Sequence, residues 1–524
     1  MKLNITNTFI KSLPSDPILE NSRRQVSGAC YSFVTPKLTK KPELIHTSDV
    51  LASELGLTKS DLKSEQFLKV FTGNSVLQDT TPYAMCYGGH QFGNWAGQLG
   101  DGRAINLTEV VHNNKNWVLQ LKGAGETPYS RTADGLAVLR SSVREYLCSE
   151  AMFHLGVPTT RALSLALTGD DVLRDVLYDG HPEYEKGAIV CRVSPTFLRF
   201  GSYEIHTSRK DYNTLQTLVN YTIKHHFPEI TTLDKSGYLQ FFKEVTQQTL
   251  DMIINWQRVG FVHGVMNTDN MSILGLTIDY GPYGWLEGFD FDWTPNTTDK
   301  QHKRYRFGNQ PNIGLWNLLQ LANALYPLVE DAKALEAILN DYNQNFHLEY
   351  QKMMNSKLGL TTVIDDDKSL IKDLEANLHL SETDMTIFFR NLSNFKKDIE
   401  LTDDNIFLEL IRDSFYNPEE ITGQVLERWK SWLIRYAKRL NEDSLSDQDR
   451  KLAMNKVNPK YVLRNYMSQL AIDAADKGDY SLINELYTLL KNPYDEQPQY
   501  NKWFTKRPEW ARHKVGCSML SCSS

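Results

Sequence analysis

The sequence predicts an α+β protein, with strands and helices mixed in its first part and a helical region behind. Up to about residue 205, short apolar runs of strand length alternate with glycine-rich turns. From about 212 to 260, and again after a loop-rich stretch at 263–311, helical patterns dominate. No repeat of fixed length and no low-complexity tract is present, which excludes solenoids and propellers.

Length and composition are those of an ordinary globular chain. The 524 residues correspond to roughly two to four domains at about 150 residues each. Hydrophobic residues make up 41% and charged residues 23% of the chain, unlike a disordered or fibrous protein. The 57 Lys and Arg against 64 Asp and Glu give a net charge of −7, so the chain is a poor candidate for a coat on duplex nucleic acid.

The sequence also indicates where the protein acts. It contains no apolar run of about 18 residues, so we expect no transmembrane helix and no membrane partner. The N-terminal residues resemble neither a signal peptide nor a transit peptide. Six cysteines are too few for a disulfide framework, and none lies in a paired C-x-x-C zinc pattern. We therefore expect a cytoplasmic protein of bacterial type that acts as a monomer and binds no nucleic acid.

Individual elements can be placed along the chain. The runs 117–121 and 187–191 have the length and apolar content of strands. Between them, a four-residue apolar step predicts a helix over 136–155. Asn458 and Pro459 predict the start of another helix, because proline is favoured in a first helical turn. One helical face near the C-terminus carries large apolar and aromatic residues that we expect in the core: Val425, Leu426, Trp429, Trp432, Leu433, Tyr436 and Leu440.

Lys122 and Glu145 are the first candidate site residues. Lys122 ends a strand, as does the lysine that contacts nucleotide phosphates in protein kinases. Glu145 lies 23 residues later on the predicted helix, where a kinase has the glutamate that holds this lysine. Either residue alone could be an ordinary surface charge, so the pair carries weight only together with further motifs.

Those further motifs lie at 263–281. His263 and Asn270 match the first and last residues of the kinase catalytic-loop motif H-R-D-x-x-x-x-N, and D-Y-G at 279–281 is a variant of D-F-G. Oxygen atoms of Asn270 and Asp279 suit a Mg²⁺ ion that bridges the phosphates of ATP. Lys122, Glu145, Asn270 and Asp279 follow one another in the order found in kinases. The sequence therefore predicts a bilobal protein-kinase-like fold.

Position 265 departs from the kinase pattern. Val265 stands where a kinase has its catalytic aspartate, and valine can neither orient nor deprotonate a hydroxyl group. Two interpretations follow: a catalytically silent scaffold, or a different nucleotide reaction. Asp269 is the nearest carboxylate that could replace the missing base.

Glycines and arginines nearby could bind phosphate. The turn at 97–103 carries glycine at three positions, which lets backbone N–H groups approach phosphate oxygens. Arg192 and Arg199 lie seven residues apart, on a strand and the turn after it. Arginine offers paired donors that match phosphate geometry. Each feature alone is common in proteins without a nucleotide site.

Ten longer motifs follow one another along nearly the whole chain. They are N-T-F at 7–9, L-P-S-D-P at 13–17, G-H-Q-F-G at 89–93, Q-L-G-D-G-R at 98–103, L-K-G-A-G at 121–125, L-R-S-S at 139–142, R-F-G at 199–201, D-Y-G-P at 279–282, N-P-K-Y at 458–461 and C-S-S at 522–524. In these motifs the chain resembles the selenoprotein O family of protein adenylyltransferases.

The resemblance implies a pseudokinase fold that binds ATP in a flipped orientation, with the γ-phosphate buried and the α-phosphate facing a protein substrate. It implies that Asp269 is the general base, that Asn270 and Asp279 bind Mg²⁺ or Mn²⁺, and that Glu145 positions Lys122. The residues for which it implies nucleotide contacts are Gly100, Gly102, Arg103, Lys122, Asp134, Gly135, Arg192, Arg199 and Asp279.

The implied reaction transfers AMP from ATP to a Ser, Thr or Tyr hydroxyl of a protein and releases pyrophosphate. A flipped nucleotide needs its base in another place than a kinase does, so Val265 is then no defect. Three alternatives stay open: UMP transfer from UTP, an ordinary protein kinase with Asp269 as its base, and a silent nucleotide-binding pseudokinase. By the same likeness we divide the chain into an N-terminal extension (1–60), a kinase-like N-lobe (61–205), a kinase-like C-lobe (206–345) and a helical C-terminal region (346–524).

The C-terminal cysteines suggest a redox switch that this sequence supports only in part. Cys522 lies where relatives carry selenocysteine or cysteine, and the resemblance implies a reversible disulfide between this residue and a cysteine of the activation segment. Here Thr294 and Pro295 stand at the partner position, and no cysteine lies between 192 and 516. Cys517 is an alternative partner, and the other interpretation is that Cys522 is a free thiol.

Overall fold

The computed structural model describes residues 1–176, 180–398 and 404–521. Within these ranges antiparallel sheets and many helices are combined, which confirms the mixed α and β composition predicted from the sequence. Helices dominate after residue 310. In the described ranges, no helix is long and apolar enough to cross a membrane.

The largest sheet has eight strands, ordered β1-β3-β6-β7-β10-β9-β2, with β8 paired to β10. Its pairs are antiparallel. Strands β4 and β5 form a separate hairpin, and β11 pairs with β12. The strands are β1 (Tyr31–Phe33), β2 (Glu43–Thr47), β3 (Tyr83–Met85), β4 (Gly88–Gln91), β5 (Asn94–Gln98), β6 (Ala104–His112), β7 (Lys115–Lys122), β8 (Ala137–Val138), β9 (Arg161–Arg174), β10 (Glu183–Ser194), β11 (Phe261–Val262) and β12 (Gly284–Trp285).

Seventeen α-helices are described. They are α1 (Thr8–Ser12), α2 (Asp49–Glu54), α3 (Lys59–Leu62), α4 (Glu65–Phe71), α5 (Leu139–His154), α6 (Phe200–Ser208), α7 (Tyr212–His226), α8 (Lys235–Val259), α9 (Gln310–Val329), α10 (Ala332–Lys357), α11 (Asp367–Leu378), α12 (Met385–Leu392), α13 (Asp404–Arg412), α14 (Gly423–Asn441), α15 (Asp447–Val457), α16 (Asn465–Ala475) and α17 (Ser481–Leu490). The two predicted strands and the predicted helix near 136–155 are confirmed as β7, β10 and α5.

Helix α14 confirms the predicted apolar face. Of the seven residues predicted on this face, five are buried and two are partly buried. They lie in a core that also contains side chains from α11 and α12. The helix predicted from Asn458 is wrong. Backbone N–H groups of Lys460 and Tyr461 donate to the carbonyl of Pro493, so 459–464 forms a link and α16 begins only at Asn465.

The two faces of the large sheet differ in chemistry, because side chains alternate along a strand. On β7, Leu119 and Leu121 enter an apolar core that also contains α2 and α4. Gln120 and Lys122 lie on the opposite face, where β10 places Arg192 directly across from Gln120. The sheet therefore has one apolar face and one face that carries polar and charged side chains.

Candidate nucleotide site

Lys122 and Arg192 are placed by the central strands. Both are buried, with side chains 10% and 3% exposed. Gln120, directly opposite Arg192 on β7, accepts a hydrogen bond of 2.9 Å from Nε of Arg192. The sheet thus fixes the direction of the guanidinium before any ligand binds.

Helix α5 brings Glu145 to the same place. Its buried carboxylate lies 2.5 Å from Nζ of Lys122 and 3.2 Å from the Arg192 guanidinium. Burial lowers the pKa of Lys122, and the nearby carboxylate only partly offsets this effect. The lysine–glutamate pair predicted from the sequence is present in the structure.

Asp279 connects this pair to Arg199. One carboxylate oxygen lies 2.5 Å from Arg192 and the other 2.5 Å from Arg199. Its backbone is left-handed, with φ of 56°, a conformation that aspartate tolerates better than most residues. Burial alone would raise the pKa of Asp279, but Arg199, Arg192 and Lys122 outweigh it and hold that pKa well below the usual range.

The five residues form one ionic network, buried except at Asp279, whose side chain is 23% exposed. Lys122, Arg192 and Arg199 bring three positive charges against the two carboxylates of Glu145 and Asp279, which leaves one net positive charge. A buried excess of positive charge is costly unless an anion neutralises it. Among these five side chains, the excess of positive charge makes the network a candidate site for an anion with several negative oxygens.

Asp269 lies beside the network on a short 3-10 turn at Thr268–Asn270. Arg199 donates to its backbone carbonyl at 2.7 Å, and Gln91 donates to its Oδ2 at 3.2 Å. Its Oδ1 is buried and has no hydrogen-bond partner among the described residues. Burial raises the pKa of Asp269 from 3.8 to about 7, although Arg199 acts to lower it. A carboxyl group with such a pKa is suited to accept a proton near neutral pH.

Asn270 is the other predicted metal ligand. Its amide nitrogen donates to the carbonyl of Val265 at 2.9 Å, which leaves the amide oxygen for a ligand. Among the described residues, no group of three or more His, Cys, Asp or Glu could hold a metal ion. One amide and one carboxylate still fit Mg²⁺, which takes few protein ligands and completes its shell with phosphate and water. The residues fit the ion, provided that Asp279 exchanges an arginine contact for it.

The glycines before the lysine allow a close packing of loops. At Gly100, with φ of 74°, a Cβ atom would lie 2.4 Å from the Tyr129 ring, and at Gly102 it would lie 2.9 Å from the Tyr129 carbonyl. Arg103 directly precedes Ala104, the residue paired with Lys122, and its carbonyl accepts from the N–H of Gly123 at 2.7 Å. The turn therefore lies directly beside the ionic network.

Among the described residues, no hydrogen bond or ion pair joins Asp134 or Gly135 to the five charged residues. Asp134 pairs with Arg174 through two hydrogen bonds of 2.8 Å. The carbonyl of Gly135 accepts from the N–H of Gly125 at 3.0 Å, and a Cβ at Gly135 would overlap the backbone of Gly125. The predicted nucleotide contacts of Asp134 and Gly135 stay predictions.

Of the two C-terminal cysteines, only one can be described. Cys517 is a free, buried cysteine, and burial raises its pKa to about 11. Cys522 lies outside the described residues, so the predicted pairing stays a prediction.

The sequence did not reveal three supporting side chains. Gln120 orients Arg192, Gln91 binds Asp269, and the Tyr87 ring lies 4.3 Å from the Arg199 guanidinium. Gln91 belongs to the G-H-Q-F-G motif at 89–93, which was a signal without an assigned role. The other two have no sequence signal, because their roles arise only from strand register and packing.

Comparison with known proteins decides the family. The family model described as protein adenylyltransferase SelO matches residues 18–491. The chain belongs to the SelO family. It is 62% identical over 522 residues to the protein nucleotidyltransferase YdiU of Flavobacterium johnsoniae, a match that covers 100% of this chain and 99% of that protein. YdiU proteins of Rhodopirellula baltica and Aromatoleum aromaticum are 54% and 53% identical, each covered over 100% of this chain and 99% of the relative.

Membership in the SelO family confirms the resemblance inferred from the motifs. It also confirms the predicted enzyme class, a protein nucleotidyltransferase. The family assignment rests on nearly the whole chain and includes the regions of Lys122, Arg199 and Asp279.

Proposed function

We propose that the protein transfers AMP from ATP to Ser, Thr or Tyr hydroxyls of other proteins and releases pyrophosphate. The observation that supports this best is the convergence of Arg192 and Arg199 on Asp279, with Lys122 bound to the same network. These cations are buried, so they would bind the part of ATP with the highest charge, its β- and γ-phosphates, at the inner end of the site. The α-phosphate would then face outward.

The side chains have separate tasks in this reaction. Asp269 takes the proton from the acceptor hydroxyl as the oxygen attacks the α-phosphorus. The bond from the α-phosphorus to the oxygen that bridges to the β-phosphate breaks, and pyrophosphate leaves with the electron pair. Lys122, Arg192 and Arg199 stabilise the negative charge that develops on that leaving group. Val265 needs no acidic side chain under this scheme, because Asp269 holds the proton instead.

Asn270 and Asp279 would hold a divalent cation, Mg²⁺ or Mn²⁺. When bound, the ion would neutralise phosphate charge and help to orient the triphosphate. Asp279 is preorganised for this task, since its pKa is held well below the usual range and it stays ionised. The two arginines that bind Asp279 would turn toward phosphate oxygens when ATP is bound.

The finer predictions belong to the same proposal. We infer a kinase-like arrangement with an N-lobe at 61–205 and a C-lobe at 206–345, because the lysine, glutamate and metal-ligand positions follow the kinase order. Gly100, Gly102, Arg103, Asp134 and Gly135 are proposed to contact the nucleotide. Location in the cytoplasm and a monomeric state stay predictions from the sequence.

The reaction products test the proposal. The wild-type protein and Asp279→Ala are incubated with a protein acceptor, Mg²⁺ or Mn²⁺, and ATP or UTP. We expect pyrophosphate release and an acceptor that gains the mass of AMP, both lost in the variant. An acceptor that gains the mass of phosphate, with ADP as co-product, would contradict the proposal. The mass of UMP with UTP alone would keep the mechanism and change the substrate.

A further inference from the structure

A cavity of about 250 Å³ lies next to the catalytic turn. It is open to the surface between the β4–β5 hairpin, α6 and α9, and its lining includes His90, Trp95, Glu204, Thr207, Gln320 and Asn323. None of these residues belongs to the ionic network or the proposed metal site. The cavity is large enough to admit one long side chain.

Glu204 gives the cavity its charge. The residue is 4% exposed, and its Oε1 accepts a hydrogen bond of 2.6 Å from Nδ1 of His90. Its Oε2 is buried, and no described residue donates a hydrogen bond to it. A buried carboxylate oxygen without a donor is unfavourable, so the site is incomplete until a ligand supplies one.

Trp95 gives the cavity an aromatic wall. It is 39% exposed, and its ring lies 5.1 Å from the His90 ring. An aromatic face beside a carboxylate is the combination that attracts a guanidinium or ammonium group. The chemistry of the cavity therefore selects a cationic side chain.

The same hairpin supports the catalytic turn. The N–H of His90 donates to Oγ1 of Thr268 at 2.7 Å, and the neighbouring Gln91 donates to Asp269 at 3.2 Å. A Cβ at Gly89 would lie 2.9 Å from the Asp269 side chain, so hairpin and base are in direct contact. An extended peptide advances about 3.3 Å per residue. Gly89 and Gln91 face Asp269, whereas His90 between them faces the cavity, so one strand of the hairpin separates the base from the cavity. A peptide with its hydroxyl at Asp269 would pass around this strand to place a neighbouring side chain in the cavity.

We propose that this cavity binds a Lys or Arg side chain of the acceptor protein, a few residues from the hydroxyl that receives AMP. The proposal rests on the proposed transfer of AMP, and it adds a class of acceptor sequence. Glu204 binds the cation, Trp95 covers it, and His90 holds Glu204 in position.

A peptide library tests the cavity. Peptides with one Ser, Thr or Tyr and randomised neighbours are incubated with wild-type protein and ATP, and the modified sequences are read by mass spectrometry. We expect enrichment of Lys or Arg at one or two fixed positions. Glu204→Gln keeps the shape and an acceptor oxygen for His90 but removes the charge. It should raise KM for basic peptides by about 10- to 100-fold, since hydrogen bonds to charged groups have that strength.

The matched controls separate charge from folding. Glu244→Gln removes one charge from an exposed position on α8 and should leave the preference unchanged. Trp95→Ala changes the exposed wall of the cavity and should weaken the same preference. It serves as the test if Glu204→Gln is unstable. KM for ATP should stay at the wild-type value in all three variants.

The outcomes separate this inference from the proposed function. Three outcomes would overturn the inference alone. The first is AMP transfer to peptides without enrichment of Lys or Arg, and the second is an enrichment that persists in both cavity variants. The third is modification of proteins but of no peptide. Absence of AMP on every peptide and protein acceptor would instead overturn the proposed function.

Discussion

Asp269→Asn should make the protein more stable and nearly inactive. Burial raises the pKa of this carboxyl from 3.8 to about 7, so its ionised form is disfavoured in the folded state. Each pKa unit corresponds to about 1.4 kcal/mol, so ionised Asp269 costs up to about 4 kcal/mol of folding free energy. Asparagine has almost the same shape, still accepts from Gln91, and carries no charge.

The effect has a defined pH dependence. Between about pH 4 and 7 the folded protein keeps a proton on Asp269 that the unfolded chain has lost, so this group makes the wild type less stable as pH rises. Above about 7 both states are ionised and the penalty is constant. The advantage of Asp269→Asn should therefore grow up to about pH 7 and stay level beyond it.

Thermal unfolding at several pH values measures this difference. With about 2 cal/mol/K of unfolding entropy per residue, the full effect is about 4 °C in Tm for a chain of this length. The exposed Asp341→Asn on α10 is the matched control and should change little. AMP transfer by Asp269→Asn should fall by about 10²- to 10⁴-fold, the usual contribution of a general base. The reasoning would be refuted if the difference in Tm between Asp269→Asn and the wild type were no larger at pH 8 than at pH 5.

Four further predictions follow from the same geometry. Arg199→Ala should lower kcat/KM for ATP by about 100-fold or more. Arg199→Lys should recover only part of this loss, because lysine lacks the paired donors of arginine. Steady-state turnover of Arg199→Ala equal to that of the wild type would contradict the assigned phosphate contact. Asp279→Ala should abolish transfer at the Mg²⁺ or Mn²⁺ concentrations that saturate the wild type, and wild-type activity at those concentrations would argue against its role as a ligand. Val265→Asp restores the kinase residue but should yield no phosphorylated acceptor, which mass spectrometry of the product would detect. Cys517, buried and with its pKa raised to about 11, should react with iodoacetamide at pH 7.5 much more slowly than free glutathione, as followed by peptide mass.

Sequence reasoning predicted the α and β composition and the central pair of the site. Lys122 and Glu145 could be found because the apolar pattern of the sequence shows where the strand ends and where the following helix lies. The convergence of Arg192 and Arg199 on one carboxylate could not be predicted from the residues alone, since it depends on strand register and on the left-handed backbone of Asp279.

Other features were beyond sequence reasoning for identifiable reasons. Asp134 pairs with Arg174, a partner forty residues away in the chain that only the fold brings near. The helix expected at Asn458 failed because long-range hydrogen bonds to Pro493 outweighed the local preference of proline for a first turn. The raised pKa of Asp269 needs the burial that the β4–β5 hairpin provides, which no local motif encodes.

Parallel labelling with α-³²P-ATP and γ-³²P-ATP tests most directly whether the buried cations hold the terminal phosphates. Wild-type protein and Asp279→Ala are incubated with a protein acceptor and Mg²⁺ or Mn²⁺, and acid-stable label on the acceptor is counted. We predict label from the α position alone, and none with the variant. Label from the γ position alone would mean that the γ-phosphate faces the acceptor, which would contradict the proposed binding of ATP.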